Sequence, residues 1–255
     1  MVISNEKGPS AQGGNLQTLR SMQYPGRVII IGRTRRGQNV VAYVLTGRGS
    51  SSKARRLVRR GDGVVVEVSD EKALAEGNRG LLVYDAFVID ELGVFVSNGA
   101  QTRLIAERSK DQPWETPSGL LTFGMEDKFI QDEIDITSYE PDVHATSRIS
   151  GCVRADNSAL QIVARNPDAT KRVLTSQLPL DPGWGWLVAT YNGEDRDPLP
   201  AFIGGPRNVT LSPNDAPSIA HELRDDVPKA VFVSVAVVLT EPNMSMVDCY
   251  IINAT

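Results

Sequence analysis

Four short segments carry residue types that can do chemistry. GRGSSSKAR at 47–55 combines small residues, the hydroxyls of Ser50, Ser51 and Ser52, and the cations Arg48, Lys53 and Arg55. Exposed amides, hydroxyls and cations in one loop suit a phosphate. The glycine and lysine spacing of a P-loop is absent, and the same composition also describes a solvated basic hairpin tip. Tyr84 and Asp85 form the second segment; an aromatic inside a strand is ordinarily core. SNGAQT at 97–102 closes a strand and opens a helix. Its amides, with Asn98 and Thr102, could hold a polar ligand or simply make a turn and a cap. The fourth, SYEPDVHATSRISG at 138–151, gathers Tyr139, Glu140, Asp142, His144 and Arg148. These groups could exchange protons, or form a polar loop tied by an ion pair from Glu140 or Asp142 to Arg148.

Charge sets these segments in a field. Residues 24–60 hold ten basic residues, Arg27, Arg33, Arg35, Arg36, Arg48, Lys53, Arg55, Arg56, Arg59 and Arg60, and no acidic one. Outside that window 17 basic residues face 31 acidic ones, a balance of −14 against −4 for the whole chain. A one-sign island in an acidic chain draws an anion to one place. A pI near 5.3 argues against nucleic-acid binding. The two cysteines, Cys152 and Cys249, are too few for a disulfide framework and predict a reducing, cytoplasmic setting. With the two histidines, His144 and His221, they share no metal-ligand spacing, so no metal is expected. Nucleophile-elbow and dinucleotide-binding motifs are missing too. The start MVISNEKGPSAQGGN has no apolar core and predicts no secretory leader. VFVSVAVVL at 231–239 is too short to span a bilayer and reads as a buried strand.

Positioning these residues requires strands first. Val28–Gly32, Asn39–Thr46, Gly63–Val68, Leu81–Ile89 and Val94–Ser97 are β-rich, with Gly37 suiting a hairpin turn. Ala100–Lys110 and Gly124–Ile136 read as helices around the loop DQPWETPSG. Strands return at Ile149–Arg154, Leu160–Ala164, Arg172–Gln177, Gly185–Tyr191, Ala230–Thr240 and Met246–Ile252. Ser218–Arg224 predicts a short helix capped by Asn214 or Asp215. Strands, then helices, then strands argue for an α+β fold of mainly antiparallel sheets with helices on outer faces. Residues 1–22 read as a flexible extension and 23–255 as one domain.

Taken in order, YPGRVIIIGR, VVAYVLTGRGSSSKAR, LLVYDAFVIDELGVFVSNGAQT, YEPDVHATSRISG and WGWLVATYNGEDRDPLP resemble the archaeal-type IMP cyclohydrolase family, which has bacterial members. The resemblance covers most of residues 24–206. It implies a four-layer α-β-β-α sandwich like that of N-terminal-nucleophile hydrolases. It also implies closure of 5-formamidoimidazole-4-carboxamide ribotide to IMP with loss of water, and no metal or organic cofactor. The family's tyrosine falls on Tyr84, its glutamate on Glu140, and its loop arginine on Lys53 or, with a shift of two, Arg55. The catalytic set is therefore Tyr84, Glu140 and Lys53. The substrate-binding set is Arg33, Arg48, Ser50, Ser51, Arg55, Asp85, Asn98, Gly99, Thr102 and Arg148. Lys53 puts a point charge in place of a fork, and His144 and Ser147 stand where the family more usually shows Asn and Pro. Partners implied are a small nucleotide substrate and further copies of the chain, with neither nucleic acid nor membrane. Rival readings are a related formamido or amide nucleotide as substrate, a non-catalytic nucleotide-binding module, and an autoprocessed amidase, whose chemistry would need a free Ser, Thr or Cys amino terminus.

Overall fold

Runs of Val and Ile decide which strands sit at the centre, because β-branched side chains fill a pleated surface well. The computed structural model describes residues 17–70, 72, 79–111, 116–122, 130–131 and 134–254. In chain order the first half runs α1 (Gln17–Arg20), β1 (Arg27–Arg33), β2 (Asn39–Thr46), α2 (Ser50–Lys53), β3 (Arg55–Arg60), β4 (Gly63–Val68), α3 (Arg79–Leu82), β5 (Tyr84–Asp90) and β6 (Gly93–Ser97). Then come α4 (Gln101–Asp111), α5 (Pro117–Thr122), β7 (Ile130–Gln131) and β8 (Ile134–Asp135). The remainder is β9 (Arg148–Arg154), β10 (Asn157–Arg165), β11 (Lys171–Leu178), β12 (Trp184–Ala189), β13 (Arg207–Thr210), α6 (Ala216–Asp226), β14 (Phe232–Thr240) and β15 (Met246–Asn253).

Two antiparallel sheets result. One has the order β13-β12-β1-β2-β14-β15, the other β11-β10-β9-β6-β5-β4-β3. The β1–β2 hairpin pairs Arg33 with Asn39 across a loop in which Gly37 takes φ +92°, a conformation that favours glycine. The sheets face each other: the rings of Tyr43 and Phe87 meet edge-on at 6.2 Å, and one apolar cluster draws on both. Strand alternation serves the other faces. On β9, Val153 joins that central cluster, while Cys152 joins Phe95, Ala159, Ile105, Ala106, Leu120 and Leu121 beneath α4 and α5. On the opposite side α6 lays Ala216, Ile219, Ala220 and Leu223 against β14 and β15. The chain is an α+β sandwich. Strands covered on both faces explain why β2 and β14 read as almost unbroken apolar runs.

Several expectations change. RRLVRR forms β3, an edge strand whose Leu57 is buried while Arg56, Arg59 and Arg60 stay exposed; charges are what protects such an edge. Residues 81–89 split into the end of α3 and a strand that starts at Tyr84. Within the expected helix at 124–136, β7 and β8 pair as a small hairpin, and residues 124–129 and 132–133 lie outside the described residues. The loop at 111–119 ends in α5, where Pro117 occupies the first turn that tolerates it. Of the flexible extension 1–22, residues 1–16 lie outside the described residues. The rest is docked: Leu19 and Met22 join the core, and Arg20 forms an ion pair with Asp226 of α6. Asp215, not Asn214, caps α6 through Ser218 N. No helix among the described residues is long and apolar enough to cross a membrane.

Candidate active site

A cleft of about 610 Å³ opens where the start of β1, the loop after β2 and the loop before β9 converge. Arg27 begins β1 and Glu140 sits in the 136–147 loop, and their side chains form a buried ion pair in the wall of the cleft. Glu140 is 3 % exposed. It also accepts from Asn98 Nδ2 at 3.1 Å. Both bonds fall on Oε1, so Oε2 is committed to neither. Burial opposes the charge on Arg27, but the Glu140 carboxylate together with Tyr84, Tyr43 and Tyr191 outweighs it and holds the guanidinium well above its ordinary value.

Local structure keeps Glu140 in place. Its N–H donates to Thr146 O at 2.8 Å, and Asp142 Oδ1 accepts from Thr146 N at 2.8 Å. Ala145, at φ 47°, turns the chain between them. Tyr191, beyond β12, shares a hydrogen bond with the Thr146 hydroxyl; burial pushes its own phenol up to about 12. Asn98, in the turn after β6, is fully engaged. Besides Glu140 it donates to Ser147 O at 2.9 Å, and its Oδ1 accepts from Ile149 N at 2.7 Å.

The tyrosines of β2 and β5 meet between the sheets. Tyr43 Oη and Tyr84 Oη are 2.8 Å apart, with Tyr43 wholly buried and Tyr84 5 % exposed. Arg27 lies within electrostatic reach of both, and Arg55 within reach of Tyr43. Arg55 also ties the serine loop down: its Nε donates to Ser52 O at 3.0 Å and its Nη2 to Thr46 O at 3.2 Å. At the rim Arg48 lies over the Tyr24 ring at 5.0 Å and pairs with Asp195 at 2.8 Å. Its Nη2 is 3.5 Å from His144 Nε2. Tyr24 in turn stacks on Tyr191 at 5.6 Å. Cations, hydroxyls and aromatic faces in one cleft suit a ligand with a phosphate and a planar ring.

The structure gathers some expected residues and scatters others. Arg48, Ser51, Arg55 and Glu140 line the cleft; Tyr84 is buried and absent from the lining, with its hydroxyl on Tyr43 and within electrostatic reach of Arg27 in the cleft wall. Lys53 is exposed and absent from the lining, because the one-turn α2 brings Ser51, Ser52 and Arg55 to the cleft side. Ser50 is exposed and absent from it as well. Arg33 ends β1, six residues and about 20 Å from Arg27; it binds Asn39 and Asp156 instead. Asp85 points to the opposite face of β5 from Tyr84 and pairs with Arg103. Thr102 closes on Ser97 and Gly99 O, capping the turn. Gly99 is packed so closely that a Cβ there would stand 2.5 Å from Arg148 Nη1. Arg148 is buried behind Asn98 and donates to Gln101 Oε1 at 3.2 Å, so the expected ion pair to Glu140 or Asp142 is replaced by Arg27–Glu140. Burial lowers the Arg148 guanidinium.

Sequence reasoning passed over Tyr43, Tyr24, Tyr191 and Asp195, and named Arg27 and Ser52 only as part of the basic island and of the serine loop. Arg27 was visible: alternation puts it on the same face of β1 as Ile29 and Ile31. The Tyr191 and Asp195 segment lies far along the chain and arrives because β12 pairs with β1. Among the described residues no cluster of acids, His and Cys could hold a metal.

The chain is similar in sequence to known proteins. A family model of IMP cyclohydrolase-like proteins matches residues 24–243. An IMP cyclohydrolase of Methanocaldococcus jannaschii is 24% identical over 169 residues, which are 66% of this chain and 73% of that protein.

Proposed function

The chain belongs to the IMP cyclohydrolase-like family, and we propose that it closes 5-formamidoimidazole-4-carboxamide ribotide to IMP with loss of water. The observation that carries this reading is the buried Arg27–Glu140 pair in the wall of a cleft whose other side holds cations and serines. Its helix–sheet–sheet–helix layering supports the expected likeness to N-terminal-nucleophile hydrolases.

A ribotide is a dianion at neutral pH. Arg48, Arg55 and the amides and hydroxyls of Ser51 and Ser52 are the groups that would seat its phosphate. Lining the cleft near them, Tyr24, Tyr191 and His144 would flank the base. The reacting carboxamide and formamido arms already share one ring, so seating them against each other in a near-attack geometry supplies much of the rate.

Four proton movements complete the step. As the carboxamide nitrogen attacks the formyl carbon, the free Oε2 of Glu140 takes one of its protons. Tyr84 gives its proton to the formyl oxygen as that oxygen becomes negative. Glu140 then passes its proton to the same oxygen, which leaves as water. The formamido nitrogen forms the ring double bond and returns its proton to Tyr84. Arg27 pairs with Glu140 before attack and steadies the Tyr84 phenolate after transfer. A donor of this kind is worth about 3 kcal/mol to the barrier.

The test is a spectrophotometric assay with the formamido ribotide and its dephosphorylated nucleoside. The expected result is ring closure with a large preference for the phosphorylated form. No absorbance change with bound ribotide would overturn catalysis and leave a binding module. A second reading has its own observation. His144 stands at the rim beside Arg48, and the buried Ser147 Oγ has no hydrogen-bond partner among the described residues. Those two departures favour a related formamido or amide nucleotide, and the same assay run with such analogues separates the two.

A further inference from the structure

Tyr43 has no part in the scheme above, yet its hydroxyl is in contact with one of the groups that scheme uses. It is the fifth residue of β2, wholly buried, with its ring edge against Phe87. A phenol carries one proton to donate and lone pairs to accept. Tyr84 Oη, 2.8 Å away, is the hydrogen-bond partner of Tyr43 Oη.

The direction of that bond follows from burial. If Tyr84 donated to Tyr43, the Tyr43 proton would be left inside the sandwich without an acceptor among the described residues. An unsatisfied buried donor is costly. If Tyr43 donates to Tyr84, Tyr43 spends its one proton inside the sandwich, and the proton left over belongs to Tyr84, the less buried of the two and within electrostatic reach of Arg27 in the cleft wall. We propose that Tyr43 is a positioning residue, donating into Tyr84 Oη so that the Tyr84 proton is aimed at the ligand and its phenolate is held when that proton leaves.

Electrostatics agree with this direction. Burial and the neighbouring Tyr84 push the Tyr43 phenol well above its ordinary value, so Tyr43 stays protonated while Tyr84 turns over. The cations Arg27 and Arg55 lie near enough to favour negative charge on the pair. A donor that remains protonated next to a proton donor that cycles is the arrangement such a role needs.

This inference rests on the reading of Tyr84 as the proton donor, and its test separates the two. Tyr43→Phe removes one oxygen from a packed site, and its melting curve checks that the fold is intact. With the formamido ribotide, kcat should fall about 3- to 10-fold, the size of one neutral hydrogen bond, while KM stays unchanged. The alkaline limb of the pH–rate profile should move upward, since the phenolate of Tyr84 loses a donor. A purely structural tyrosine would leave that limb in place. Unchanged kcat and pH profile in Tyr43→Phe, with Tyr84→Phe inactive, would overturn the positioning role alone. Full activity of Tyr84→Phe would overturn the role of Tyr84 and, with it, that of Tyr43.

A measurement without substrate decides the bond direction. Ultraviolet titration of Tyr43→Phe minus that of the double variant Tyr43→Phe/Tyr84→Phe isolates Tyr84. Wild type minus Tyr84→Phe gives the reference. Titration of Tyr84 at higher pH in Tyr43→Phe supports donation from Tyr43; titration at the same or lower pH overturns it.

Discussion

A buried carboxylate is tolerated only with its charge answered, and at Glu140 that answer is Arg27. Arg27→Met should therefore cost about 3–5 kcal/mol of stability by denaturant unfolding. In a Glu140→Gln background the same change should cost far less, because no charge is stranded. Equal costs in the two backgrounds would show that the pair is not coupled. Glu140→Gln and Tyr84→Phe should each lower turnover of the formamido ribotide on the order of 100-fold or more, the scale of a lost general acid or base; melting curves check that both are folded, since Glu140→Gln leaves Arg27 buried without its counter-charge. Near-normal rates in both would sink the mechanism. At the loop, Lys53→Ala should change kcat/KM by less than about 2-fold, as expected of an exposed side chain outside the cleft. Arg55→Ala should lower it strongly, because Arg55 holds the serine loop through Ser52 O and Thr46 O. The opposite order would return the loop role to Lys53.

The same logic governs elements. β1 and β12 approach so closely that a Cβ on Gly32 would lie 2.4 Å from Trp184 O and 2.6 Å from Gly185 Cα. Both neighbours are backbone, so neither can swing aside. Gly32→Ala should destabilise the fold by about 1–3 kcal/mol, while Gly205→Ala, with open space around it, should be close to neutral in thermal unfolding. Comparable losses at both positions would refute the packing argument. Since β12 carries the chain on to Tyr191 and Asp195, forcing it away from β1 should also weaken ribotide binding.

Over the whole molecule the buried phenols set how the sandwich meets alkali. The Tyr191 phenol is raised to about 12, so the folded chain holds that proton more tightly than the unfolded chain does. Its contribution is complete below the ordinary phenol value near 10 and is lost as pH climbs from about 10 towards 12. Tyr191→Phe should flatten the fall in unfolding free energy across that interval. An unchanged slope would show that Tyr191 titrates alike in both states.

Much of this was written in local pattern. The β-branched runs of β1, β2 and β14 mark strands because such residues pack well on a pleated surface wherever the strands lie. The single-sign island at 24–60, the capping Asp215 and the Glu140 segment were legible for similar reasons, since charge excess and caps depend on near neighbours. What no local pattern could decide was which side chains meet. Alternation says that Tyr43 and Tyr84 each face one side of a strand, but only the stacking of two sheets brings their oxygens together. Only the pairing of β12 with β1 brings Tyr191 and Asp195 beside the basic loop, and only the folded 136–147 loop chooses Arg27 rather than Arg148 for Glu140. Partner choice depends on contacts between residues far apart in the chain, and these exist only once the core has closed around them.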